Sequence, residues 1–167
     1  MRRCFHTPAA PRFTYPTNPT RECQERKGLD QPMTSSAFPT VLAAMTAAHH
    51  VGDYLLQNDH QAQHKPESWA ANQAHVASYH LAQLTAVGLA SHVLGLRLSP
   101  VRLAAGMAVS WVTHSVIDRR WPVRWWMTRT GSAAFYEAGG APHVDQAMHH
   151  AALFAAALVV TSGDDRS

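Results

Sequence analysis

The sequence predicts an all-α protein, an antiparallel four-helix transmembrane bundle with a disordered N-terminal tail. Three observations carry that expectation. Asp, Glu, Lys and Arg are absent from four stretches, Gln31–Gly52, Ser68–Leu96, Leu103–Ile117 and Gln146–Ser162, and charge gathers between them. Such stretches approach the roughly 20 residues that a helix needs to cross a bilayer. The second stretch shows no charged face at all, whereas a soluble surface helix carries charge on its outer side. Punctuation falls where four helices need it. Pro39, Pro100 and Pro142 sit at or just before helix starts, where the missing N–H costs nothing, and Gly95 and Gly139–Gly140 mark turns.

Residues 1–37 are rich in Pro, Thr, Arg and Gln, a composition that cannot bury a core and reads as a disordered tail. They contain no apolar h-region with a small-residue cleavage site, so a signal peptide is not expected. Met33 looks like a natural start, which makes the first 32 residues either an over-extended start or a mobile tail. Residues 38–163 form the helical domain, with helices expected at Phe38–Gln57, Trp69–Leu96, Pro100–Asp118 and Val144–Thr161. The competing arrangement is a soluble four-helix bundle. The mean hydropathy of −0.21 favours it, although the tail and the His and Gln content pull that mean down.

The 167 residues carry a formal charge of +3, only mildly basic and without a basic stripe for nucleic acid. Both cysteines, Cys4 and Cys23, lie in the tail and encode neither a disulfide framework nor a CxxC metal site. Histidine is the outlier: of twelve, all but His6 fall between His49 and His150. A neutral imidazole is far cheaper to bury than a carboxylate and is the commonest metal ligand.

Three of the expected helices carry a His and an Asp four residues apart: His49 with Asp53, His114 with Asp118, and Asp145 with His149 in reversed order. An i,i+4 pair lies on one face about a turn apart. Such a pair can chelate one ion, or its Asp can orient the imidazole. Gln57 continues the first face; Gln146, one residue from Asp145, points elsewhere. In an antiparallel bundle the ends of helices one and three share a side with the starts of helices two and four. His75, with Tyr79 one turn deeper, therefore joins the three pairs at one depth. Ionisable residues inside a span are a functional hypothesis by default. Two readings follow, a metal or catalytic site and a purely structural polar network. His and carboxylate ligands together suit Zn, Fe or Mn. His50 and His150 point about 100° from the motif faces, His80 is off the His75 face, His92 is near the far end, and His60, His64 and His143 read as solvated.

The segment DRRWPVRWWMTRTGS, residues 118–132, is basic and tryptophan-rich. Trp121, Trp125 and Trp126 suit a membrane–water interface, and Arg119, Arg120 and Arg124 suit phosphate head groups. Aromatics interleaved with arginines also occur in nucleic-acid sites, but beside an apolar span the interfacial reading is preferred and no nucleic-acid partner is expected.

The blocks HHVGDYLLQ, HVASY, HSVID and DQAMH resemble those of the DUF3307 family. That family's pattern is similar to H-x-x-x-D-x-x-x-Q, a later Lys, then H-x-x-x-Y, H-x-x-x-D and D-Q-x-x-H. The matching positions are His49, Asp53, Gln57, Lys65, His75, Tyr79, His114, Asp118, Asp145, Gln146 and His149, across about residues 40–160. The resemblance implies a small bacterial multi-span membrane protein, and supports these site residues more than any reaction.

The function expected from the sequence is a cell-membrane protein with a His/Asp-lined metal site near one face, activating water for hydrolysis. Its ligands are His49, His75, His114 and His149. Asp53, Asp118 and Asp145 serve as ligands or general base, and Gln57, Tyr79 and Gln146 give polar support. A lipid, an isoprenoid phosphate or a membrane-proximal peptide is the substrate class. The alternative is a non-catalytic membrane protein that binds metal or haem for storage, transport or sensing, or uses the cluster only to hold its helices. With a start at Met33, the positive-inside rule puts the site on the cytoplasmic side; with Arg21, Arg26 and Lys27 counted, the two sides tie.

Overall fold

The structure is a computed structural model and describes residues 37–163; the tail expected over 1–37 lies, apart from Ala37, outside the described residues. Among the described residues the chain is helical, with no strand. Helix α1, Ala37–His50, runs without a break into a wider π-helical stretch, Val51–Leu56. Asn58 then caps the short α2, Asp59–His64. Its side chain accepts from the Gln61 amide at 2.9 Å while the Gln61 side chain accepts from the Asn58 amide at 3.1 Å. Ser68 caps α3, Trp69–Leu94, which ends at Gly95 in the left-handed conformation (φ 67°) that glycine adopts without strain. Helix α4, Pro100–Ile117, starts on its proline, and Arg120 at φ 61° turns the chain into α5, Trp121–Arg129. After the single turn α6, Ala133–Phe135, a kink at Gly139 leads into α7, Ala141–Thr161.

Helix α4 packs most extensively on α7, α1 on α3 and α7, and α3 on α4, so the four long helices close a ring in the order α1, α3, α4, α7. The α4–α7 contact is tight because of Gly106: a Cβ there would run into Val160 and the Ala156 carbonyl. One end of the bundle is filled by Val41, Met45, Val87, Met107, Leu153, Ala156, Ala157 and Val160. A smaller cluster, Ile117, Val123 and Met127, seats α5 against the start of α7.

The expected helices appear with ends shifted by a few residues, the largest shift putting the start of α7 at Ala141 instead of Val144. The connectors, expected as polar or basic links, contain α2 and α5. Hydropathy distinguishes the helices more sharply than absence of charge does. Among the described residues, one helical run, Ala133–Thr161, is long and apolar enough to cross a membrane. The other three long helices turn polar side chains inward, His49 on α1, Asn72, His75, His80 and Gln83 on α3, and Ser110 and His114 on α4, which lowers their mean hydropathy although they are free of Asp, Glu, Lys and Arg over most of their length.

Candidate metal centre

Asp53 owes its position to the π-helical stretch. The wider turn carries Gly52 and Asp53 inward, buried against α3, while Val51, Tyr54, Leu55 and Leu56 face out. π-Helical turns of this kind are frequent at functional sites. Gly52 is needed there: a Cβ would lie 2.5 Å from the ring of Tyr79. From α3 comes His75, from the last turn of α4 His114, and at its C-terminus Asp118. All three are buried.

Four atoms converge. His75 Nε2 lies 3.1 Å from His114 Nε2, 3.4 Å from Asp53 Oδ1 and 3.4 Å from Asp118 Oδ2. His114 Nε2 lies 3.7 Å from Asp53 Oδ1 and 3.1 Å from Asp118 Oδ2. A tetrahedral ion with N and O ligands at about 2.0–2.2 Å has ligand–ligand edges of roughly 3.3–3.6 Å. The five distances scatter about that value. As a hydrogen-bond network the four atoms are only partly satisfied: His75 Nε2 and His114 Nε2 face each other at 3.1 Å, while among the described residues Asp53 Oδ1 and Asp118 Oδ2 have ion-pair contacts alone. Two ring nitrogens facing each other share at most one proton between them. Buried His and Asp groups at this spacing have the geometry to hold a cation. Nδ1 of both His75 and His114 is buried without a partner, so the orienting acceptor usual for a metal-bound histidine is missing.

The remaining residues surround this quartet. His49 is buried; its Nδ1 stands 3.2 Å from the Tyr79 hydroxyl and 3.6 Å from Asp53 Oδ2, and its Nε2 stands 2.9 Å from Gln146 Oε1. Gln83 donates to the Tyr79 oxygen at 2.8 Å and to the Met45 carbonyl at 3.0 Å. One proton order satisfies this chain: Gln83 donates to Tyr79, Tyr79 to His49 Nδ1, and His49 Nε2–H to Gln146. His149 is beside the quartet and outside it, with Nε2 3.7 Å from Asp118 Oδ1 and Nδ1 3.6 Å from Asp145 Oδ2. Lys65 closes the other side, its Nζ 2.9 Å from Asp118 Oδ1.

A cavity of about 600 Å³ reaches this site through Asp118. Its polar lining is Lys65, Arg120, Asp145, Gln146, Gln57 and Tyr54. Of the three arginines expected at head groups, Arg120 lines this cavity, and Arg124 is exposed on α5. Arg119 instead binds the carbonyls of Lys65 and Glu67 at 3.3 Å and lies 4.6 Å over the Trp69 ring, tying α4 to the start of α3.

The structure thus brings His75, His114, Asp53 and Asp118 to one point and sets His49, His149, Tyr79 and Gln146 around it. Asp145 and Gln57 stand in the cavity wall. Gln83 was not foreseen, although it continues the His75–Tyr79 face at the next four-residue step. Asn72, Gln73 and Ser115 were missed too. Asn72 donates to the Ser115 carbonyl and Gln73 to the Ser115 hydroxyl, and Gln73 accepts from Trp111, which joins α3 to α4. His80, set aside as off the His75 face, is indeed engaged elsewhere, with Nδ1 on the Val76 carbonyl and its ring against Trp111.

These features define a class: an all-helical bundle whose buried His and Asp side chains have the geometry to hold a metal ion. The chain belongs to the DUF3307 family, described as proteins of unknown function, whose profile matches residues 41–166. No curated protein and no solved structure matches the sequence.

Proposed function

We propose that this chain is an integral membrane protein whose buried centre holds one divalent metal, zinc foremost, and hydrolyses a phosphate-bearing amphiphile. The observation that carries the metal is the pair of buried carboxylate oxygens, Asp53 Oδ1 and Asp118 Oδ2, facing two imidazole nitrogens without hydrogen bonds to satisfy them. Buried and unpaired, such oxygens cost several kcal/mol or more, and a cation offsets that cost. Tetrahedral N and O donors suit zinc.

The outer surface supports the membrane. Leu55, Leu81, Leu89, Val93, Leu94, Val101 and Val112 are each more than half exposed. A lipid environment would take this apolar surface out of water. In the run Ala133–Thr161 only 28% of the apolar window is buried, whereas the core helix of a soluble protein is mostly buried. On α5, Val123 and Met127 face the bundle while Trp121, Trp125 and Trp126 face out beside Arg120 and Arg124, the composition of an interfacial helix.

A divalent cation supplies Lewis acidity toward a phosphoryl oxygen and makes water nucleophilic at neutral pH. The protein's part is to bind and orient. With ionised carboxylates and neutral imidazoles, Asp53, Asp118 and Asp145 outnumber Lys65 and Arg120, and a divalent ion turns that net negative balance positive. Lys65 and Arg120 then meet the anionic oxygens. Asp145, held against His149 and open to the cavity, is the general base. A second reading, a structural metal that ties three helices, is favoured by one observation: His75, His114, Asp53 and Asp118 together offer four protein donors, the number that structural zinc sites use.

The test is elemental analysis of the full chain purified in detergent, followed by turnover of phosphomonoester and phosphodiester lipids. We expect zinc in the buried centre of the wild type, one zinc fewer per chain in His114→Ala, and full zinc but no turnover in Asp145→Asn. Turnover retained in Asp145→Asn rejects its role as base, and absence of turnover in zinc-loaded wild type leaves the structural metal. A wild type without metal, and equal stability in His114→Ala, rejects the centre. Recovery in a high-speed supernatant without detergent rejects the membrane.

A further inference from the structure

His50 and His150 take no part in the centre described above. Both are exposed, one on α1 and one on α7, among exposed small or apolar neighbours Ala47, Val51, Ala147 and Ala151. Their rings nevertheless gather around His49. Ring centroids lie 5.3 Å apart for His49 and His50, 5.2 Å for His49 and His150, and 5.5 Å for His50 and His150. An imidazole bound at about 2.0–2.1 Å puts its centroid roughly 3.2 Å from the ion, so tetrahedral imidazoles stand about 5.2 Å apart. The triangle has that size. One ring nitrogen from each of the three lies within 4.8 Å of the others, and His49 joins them by giving up its contact with Gln146 or with Tyr79.

The triangle also connects inward. Three groups of potential ligands share members in sequence: His49, His50 and His150 at the surface, then His49, Asp53 and His114, then His75, His114 and Asp118. His49 belongs to the first two and His114 to the last two. The other approach, through the cavity, meets the Lys65–Asp118 ion pair, where an ammonium sits at 2.9 Å from the carboxylate and repels a cation.

We propose that His49, His50 and His150 form a second divalent-metal site, and that it is the port through which the buried centre is loaded. The port, though not the site, rests on the buried centre being a metal site. Each transfer exchanges ligands within one overlapping group, so the ion is never left without protein donors.

The test uses the full chain in detergent micelles, stripped of metal and titrated with Co²⁺ alone, with stoichiometry from elemental analysis and loading followed by visible absorption. The wild type is expected to bind one ion more than His50→Ala/His150→Ala, and the double variant to fill the buried centre at least tenfold more slowly. His92→Ala, which removes an exposed histidine elsewhere on α3, is expected to match the wild type in both. Equal stoichiometry in the wild type and the double variant overturns the site. Equal loading rates overturn the port. A single wild-type ion that is lost in the double variant and kept in Asp118→Asn sustains the surface site and overturns the buried centre together with the port.

Discussion

The same four helices meet twice, in opposite ways. At the end formed by the start of α1 and the last turns of α7 they meet through Val41, Met45, Val87, Leu153, Ala156 and Val160, with Gly106 letting α4 and α7 approach closely. At the other end they meet through His49, Asp53, His75, His114, Asp118 and His149, all buried. The dry end needs only shape, and shape is satisfied. The polar end needs partners, and several of its atoms lack them. In a lipid environment apolar contact between helices gains little over contact with lipid tails, so packing and polar bonds decide association. On the proposed function the dry end supplies the scaffold, and a metal ion completes the polar end, where Asp53 Oδ1 and Asp118 Oδ2 lack hydrogen bonds among the described residues.

Substitution at each end breaks this comparison in a different way. The largest effect is expected for Asp118→Ala. It removes a candidate ligand and leaves Lys65 without its carboxylate in a half-buried setting, a class of change that costs about 3–5 kcal/mol for a buried pair. Denaturation in detergent, with and without added Zn²⁺, should show the loss and show that Zn²⁺ stabilises this variant less than the wild type. Leu153→Ala at the dry end should cost about 2–3 kcal/mol by opening a cavity, while Zn²⁺ still stabilises the variant as it does the wild type. If Leu153→Ala abolished the response to Zn²⁺, the two ends would not be separable and the comparison would fall. Chelation comes next in size: EDTA should lower the melting temperature of the wild type by several degrees and that of Asp118→Ala by less.

Local information carried much of this into the sequence. The His–Asp pairs and their shared depth follow from helical periodicity and antiparallel connection, both of which depend on spacing alone. What depends on the third dimension did not. Gln146 was judged to point away because it is one residue from Asp145, yet from the seam of α7 it reaches His49 on α1. His149 sits on the expected face but one ring away from the converging atoms. The widened turn that brings Asp53 inward has no composition of its own, since VGDYLL reads as ordinary helix. Gln83 was legible in principle, because His75, Tyr79 and Gln83 repeat the step of His49, Asp53 and Gln57; a neutral amide in an alanine-rich stretch simply drew no notice.

The smallest effect is the most discriminating within the polar end. Tyr79→Phe removes one hydroxyl and nothing else from the core. That oxygen accepts from Gln83 and faces His49 Nδ1, so its loss leaves His49 held by Gln146 and removes none of the four side chains of the buried centre. Two hydrogen bonds of modest net value predict a stability loss of about 1–2 kcal/mol. The metal content of the buried centre should be unchanged, because His75, His114, Asp53 and Asp118 keep their positions. Coupling at the surface should change instead: with His49 oriented by one hydrogen bond fewer, Co²⁺ should reach the buried centre several-fold more slowly than in the wild type. A Tyr79→Phe protein that lost its zinc altogether would place His49 among the ligands of the buried centre, and the converging point would have to be redrawn around His49, Asp53 and His114.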